Sequence, residues 1–142
     1  LWLEDANKGP NFGSVDEDTI ALEICNEETE ASFFYIPACA YVPDWLKVKL
    51  NNTNLLFFDG TLWTDDEMIK QKVGIKTGKR MGHISMSGEE GSLNIFENVK
   101  INRKIFIHIN TTNPALLNNS PERKVLENAG WEVAYDTMEI KI

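Results

Sequence analysis

Two apolar runs end in the same way, and that shared ending most limits what the chain can fold into. In residues 104–114, KIFIHINTTNP, an apolar stretch stops at His108 and gives way to Asn110, Thr111, Thr112 and Asn113 before Pro114. In residues 54–60, NLLFFDG, the apolar run lasts until Asp59, and Gly60 then frees the backbone for a turn. A polar side chain at the C-terminal end of a buried strand, followed by a polar loop, is where open α/β sheets place their chemistry. The pair predicts two core strands with Asp59 and His108 on a shared rim.

The rest of the chain supplies elements around that pair. Residues 1–18 read as an irregular acidic lead-in, and Trp2 and Leu3 would cap an apolar surface. Residues 19–25 alternate, with Ile20, Leu22 and Ile24 on one face. Residues 31–36 are rich in aromatics, so the two form a hairpin across the short polar segment 26–30. Pro43 opens a helix of about ten residues whose apolar face is Trp45, Leu46 and residues 48–50. Thr64, with Asp65, Asp66 and Glu67 behind it, reads as a capped helix start. Residues 71–82 read as loop and 91–99 as a helix.

Ser120 and Pro121 cap a last helix that Gly130 stops, and residues 131–135 and 138–142 read as closing strands. Strands alternating with helices predict an α/β fold. Residues 19–142 would form a single α/β domain, with a mixed sheet and flanking helices. A chain of 142 residues can bury roughly 68–70% of its unfolded surface.

Charge narrows the possible partners. With 22 acidic against 14 basic residues the net charge is −8, which repels phosphate backbones and argues against nucleic acid. The one basic cluster, KTGKR at 76–80, reads as a solvated loop. Cys25 and Cys39 make neither a zinc motif nor a disulfide framework, and read as small buried hydrophobes in a reducing compartment. No apolar run reaches the ~18 residues of a membrane span and no signal core opens the chain, so a cytoplasmic location is expected. An opening on LWLEDANKGP without methionine suggests a fragment, a trimmed product or a processed one.

Asp59 and His108 are the candidate metal ligands, a carboxylate and an imidazole at strand ends. The chain holds two histidines, His83 and His108, whereas a complete zinc or iron site takes three or four protein ligands. On spacing alone, a turn-capping aspartate and a histidine bonded to a backbone carbonyl are the commoner outcomes. His83 lies in a glycine-flanked loop with Ser85 and Ser87, exposed enough to titrate near neutral pH. Asn110 and Asn113 could meet a substrate carboxylate or shape the turn before Pro114, with the turn favoured locally.

Longer phrases point further. FFDGTLWTDDEMI (57–69), KTGKRMGHISMSG (76–88), KIFIHINTTNP (104–114), SPER (120–123) and AGWEVAYDTMEI (129–140) resemble, in order and spacing, the pyrroloquinoline quinone (PQQ) synthesis protein B family. The resemblance runs from about Val15 to Ile142 and corresponds to the C-terminal half of that family. It implies half of a metallo-β-lactamase-like αββα sandwich whose metal lies at one edge between two sheets. Asp59 falls on the family's later metal-binding aspartate, His108 on its final histidine, and His83 on a loop histidine that can assist proton transfer. The HxHxDH motif of the family's N-terminal half is absent from these 142 residues.

By the same resemblance the whole protein would use Fe2+ or Zn2+ in PQQ biosynthesis, oxidising the tyrosine part of a peptide-derived precursor by hydroxylation. His83 would orient or protonate an oxygen species, and Asn110 and Asn113 would shape the metal-side loop. A non-catalytic carrier for PQQ or its precursor, and a metal-dependent hydrolase, are the alternatives. His and Asp suit iron, zinc and manganese alike, so residue type does not choose the metal. The chain alone is expected to hold an incomplete site and to be inactive. Its expected partners are the N-terminal half or a second copy, covering the sheet face left by residues 55–58 and 105–107.

Overall fold

A computed structural model describes residues 19–142. Expectations for residues 1–18 therefore lie outside the described residues. Five strands form one sheet in chain order: β1 (Leu22–Cys25), β2 (Ser32–Ile36), β3 (Thr53–Asp59), β4 (Ile101–Ile107) and β5 (Trp131–Val133). β1 and β2 form the expected antiparallel hairpin, and β2 through β5 run parallel.

Parallel neighbours need crossovers. α1 (Asp44–Leu50) joins β2 to β3. α2 (Glu67–Lys70), α3 (Gly78–Met81) and α4 (Ser92–Ile95) lie between β3 and β4. A 3-10 turn (Pro114–Leu116) and α5 (Pro121–Asn128) lead to β5. Crossovers between parallel strands are right-handed almost without exception. When every crossover also steps the same way across a sheet, all of them must land on one face.

The core fits this rule. Phe34, Ile36, Leu56, Phe58, Phe106, Trp131 and Val133 share one face by register, and they cluster with Leu46, Leu50, Met86, Phe96 and Leu126 from the crossovers. Phe106 stacks on Trp131 at 3.9 Å between centroids, and Phe58 meets Phe96 edge-on at 4.9 Å.

The other face carries Leu22, Ile24, Phe33, Tyr35, Phe57 and Ile107. Leu22, Ile24 and Tyr35 are exposed, and Phe33, Phe57 and Ile107 half-buried. Leu55 and Ile105 on that face are buried, contrary to the expectation that both would be open. They sit mid-sheet among cross-strand neighbours. Arg103 is the register partner of Leu55 and Glu132 that of Ile105, and these two form a two-pronged ion pair at 2.7 and 2.9 Å.

Several local expectations need correction. α1 has seven residues rather than about ten, and Leu46 and Leu50, four apart, face the core while Trp45 and Val48 are exposed. Thr64 does not cap α2: its hydroxyl donates to Asp66, which takes the cap position, and the helix starts at Glu67. Residues 78–81, expected as loop, make one helical turn capped by Thr77, and Lys79 within the basic cluster pairs with Glu90. The helix expected over 91–99 is the four residues of α4.

Cys25 is exposed rather than buried, whereas Cys39 is buried, and both are free thiols. Residues 138–142 form no strand, because Thr137 at φ 68 turns the chain after β5. The cap of α5 is as expected, with the Ser120 hydroxyl accepting from the Arg123 amide and Pro121 in the first turn. No helix among the described residues is long and apolar enough to cross a membrane.

Candidate metal centre

β3 and β4 are adjacent and parallel, with Asp59 in register with Ile107. Were β4 continued one residue further, strand alternation would turn His108 to the opposite face from Asp59. The backbone prevents this: the strand ends at Ile107 and His108 adopts φ 54, a left-handed conformation unusual for a residue with a Cβ. That turn brings the imidazole back to the Asp59 side. Asp59, His83 and His108 each offer a ligand atom, all within 4.8 Å of one another.

His83 arrives from the long β3–β4 crossover. Gly82, at φ 90, ends α3, and the His83 amide donates to the Gly78 carbonyl. Beyond it the chain runs beside residues 61–63: Met86 and Ser87 amides donate to the Leu62 and Trp63 carbonyls, and the Ile84 amide to Cys39. Leu62, Ile84 and Met86 are buried, so apolar packing anchors both sides of this contact. The His83 side chain is therefore half-buried at 13% exposure, its ring 5.2 Å from the exposed His108 ring between centroids.

Asp59 is fully buried and accepts four hydrogen bonds. Oδ1 takes the Thr61 amide at 3.1 Å and its hydroxyl at 2.6 Å, and Oδ2 takes the Cys39 amide and His83 Nδ1, each at 2.9 Å. No lysine or arginine pairs with it among the described residues. Its charge is held by amides, a hydroxyl and an imidazole, which fixes the carboxylate in place beside the two rings. One carboxylate and two imidazoles are a donor set suited to divalent zinc, iron or manganese. The group that sequence spacing limited to two ligands thus gains a third potential donor in His83.

The amides of the following loop are engaged within the fold. Asn113 is buried, donating to the Gly60 carbonyl at 3.0 Å and accepting from the Ala115 amide at 2.9 Å. The Asn110 backbone donates to the Thr61 carbonyl, and its side chain donates to Thr112 Oγ1 at 2.6 Å. Thr112 in turn donates to Glu67, a buried carboxylate that also accepts the Trp63 amide at 2.7 Å.

Neither the Glu67 clamp nor the central place of Thr61 emerges from the sequence reading. The available signal for Thr61 was its position two residues after a strand-end aspartate, where side-chain-to-backbone bonds are common. Beside the site, burial pushes the Cys39 thiol up to about 11. Its bond to the Tyr41 carbonyl opposes that rise and the nearby Asp59 charge adds to it.

The fold and this group have counterparts among known proteins. A family profile described as the beta-lactamase superfamily domain matches residues 5–109. The chain is 48% identical over 139 residues to "Coenzyme PQQ synthesis protein B" of Bradyrhizobium diazoefficiens, covering 98% of this chain and 45% of that protein. It is 45% identical over 142 residues to the protein of the same name from Xanthomonas oryzae pv. oryzae, covering 100% of this chain and 46% of that one.

The crystal structure of Zn2+-bound PqqB from Methylobacterium extorquens superposes with a TM-score of 0.78 at 45% identity, over 80% of this chain and 41% of that one. A diphosphatase of the PhnP family shares the fold, with a TM-score of 0.50 at 19% identity over 87% of this chain and 43% of that one. The chain spans a little under half the length of the curated relatives it matches, corresponding to their C-terminal portion.

Proposed function

We propose, from the premise that this chain belongs to the beta-lactamase superfamily, that it supplies the Asp59–His83–His108 side of a divalent-metal site in PQQ biosynthesis. The observation that carries the reading is the convergence of these three side chains, from two adjacent strand ends and the crossover between them, within 4.8 Å. Support for a metal also comes from the zinc named for the M. extorquens relative. The remaining ligands would come from outside the chain, from the sequence that the longer relatives carry or from a second copy.

The reaction we assign to the assembled protein is hydroxylation of the tyrosine part of a peptide-derived precursor, with one atom of O2 entering the ring and the other leaving as water on two electrons from an added reductant. When bound, iron supplies the redox chemistry this needs, which redox-inert zinc does not. The residues of this chain hold and orient. Asp59 brings a buried negative charge to the ion. His108, re-aimed by its left-handed backbone, brings a nitrogen from the solvent side. His83 either completes the donor set or moves a proton at the reacting oxygen. Asn110, Thr112 and Glu67 keep the loop after His108 closed against α2 and so hold the rim in shape.

A chimera tests this reading: the matching portion of the M. extorquens protein is replaced by this chain, loaded with Fe2+ and supplied with O2 and a reductant such as ascorbate. Mass spectrometry should find one added oxygen on the tyrosine-containing precursor, lost on Asp59→Ala or His108→Ala. A folded, metal-loaded chimera that binds PQQ tightly without turnover would instead make the protein a carrier. Cleavage of ester substrates with zinc, and no oxygenation with iron, would make it a hydrolase.

A further inference from the structure

The hydroxyl of Thr61 lies at the centre of the three candidate ligands and touches all of them. Its Oγ1 is 2.6 Å from Asp59 Oδ1, 3.1 Å from His83 Nδ1, 2.9 Å from His108 Nδ1 and 3.0 Å from the His108 carbonyl oxygen. A threonine hydroxyl has one proton and two lone pairs. Two of the four neighbours, the Asp59 carboxylate and the His108 carbonyl, can only accept. Whichever takes the proton, none is left for an imidazole, so both Nδ1 atoms must donate to Oγ1. His83 Nδ1 has a second acceptor in Asp59 Oδ2 at 2.9 Å, whereas among the described residues His108 Nδ1 has no acceptor but Thr61.

We infer that Thr61 is a positioning residue: its hydroxyl holds both imidazoles of the metal-free chain in the Nδ1–H tautomer. The tautomer of a ligating histidine is set by the bond its other nitrogen makes, and losing such a partner typically weakens metal binding about 10–100-fold. The same hydroxyl touches both the ring and the carbonyl of His108, the residue at φ 54, so it also braces the turn that re-aims that ring. The tautomer assignment stands on hydrogen-bond geometry alone. Its consequence for metal binding rests on the reading proposed above.

Two histidines in the chain make the test direct. Long-range proton–nitrogen NMR of the metal-free, uniformly 15N-labelled chain, at a pH where both rings are neutral, reports which nitrogen of each ring carries the proton. A His83→Gln sample leaves one ring and assigns it. Both rings should be Nδ1–H in the parent. Thr61→Val, which keeps the shape and removes the hydroxyl, should release His108 to a mixture of tautomers while His83 stays Nδ1–H on Asp59. Thr61→Ser should restore the parent spectrum.

An Nε2–H His108 in the parent, or an unchanged His108 in Thr61→Val, overturns the inference. Should Thr61→Val fail to fold, the parent spectrum and Thr61→Ser still decide it. Zinc titration of the chimera described above, with and without the Thr61 substitutions, separates the two claims. The inference expects Thr61→Val to bind Zn2+ about 10–100-fold more weakly than the parent and Thr61→Ser to match it. Nδ1–H rings in the chain, with a chimera that binds no zinc, would uphold the role of Thr61 and sink the metal reading. Zinc binding with Nε2–H rings would do the reverse.

Discussion

Cys39 shows how burial at one residue becomes a chemical property. Its backbone amide anchors Asp59 while its thiol, buried and facing the Asp59 charge, is raised to about 11. Only the thiolate reacts, so at about pH 8 on the order of one thiol in a thousand is reactive at Cys39. Alkylation at that pH should therefore modify Cys25, which is exposed, and spare Cys39 in the folded chain, both reacting in denaturant. The rate at Cys39 should climb as pH rises toward its raised value. Mass spectrometry of the labelled peptides checks this, and prompt double labelling of folded protein would contradict it. At this scale the sequence was legible where a residue type is scarce and its position marked: Asp59 and His108 stood out because each interrupts an apolar run. Thr61 did not, because threonines are common in turns and its role depends on two histidines 22 and 47 residues away.

Elements meet closely at Gly60, where β3 leaves the sheet. Its φ is not among the positive values, so the turn does not require glycine for backbone freedom, as the sequence reading had it. Space requires it instead. A Cβ there would lie 2.8 Å from the Met86 methyl, 2.9 Å from Phe106 Cβ and 3.1 Å from the Ile107 carbonyl. The methionine can yield, but Phe106 Cβ and the backbone of β4 cannot. Gly60→Ala should destabilise the chain by about 1–3 kcal/mol in urea unfolding and loosen the rim beside Asp59. An unchanged midpoint would mean that β3 and β4 separate there at little cost.

The hairpin, the core strands and the Ser120 cap could be read from alternation and local capping chemistry. The short helices between β3 and β4 could not. Each is a single turn, and bonds such as those from the Ser92 and Leu93 amides to the Ser85 and Met86 carbonyls help hold it, which no helical period announces. Met138, Ile140 and Ile142 alternate as a strand would, yet the turn at Thr137 sends that segment away from pairing.

At the scale of the molecule, one face of the sheet is fully packed and the other is partly open, because all the crossovers step the same way. Leu22, Ile24 and Tyr35 are exposed on that open side, beside Phe33 and Phe57 in edge-on contact at 5.6 Å. Burying apolar surface contributes about 25 cal/mol per Å2, so covering this patch favours association even against its entropic cost. The isolated chain should self-associate in light scattering and bind an apolar dye, and a Leu22→Lys, Ile24→Lys double variant should weaken both. A monodisperse parent without dye binding would count against it.

The strand order has a second consequence, in time rather than in space. Each strand of the sheet pairs with the one made just before it, β1 with β2 through to β4 with β5. As the chain leaves the ribosome, no strand has to hold a gap open for a later one to insert. The sheet can lengthen by one strand per crossover, and each crossover packs on its exposed edge as it emerges. The three-residue β5, the latest of the five described strands to be made, adds to a sheet in which the other four are already in place.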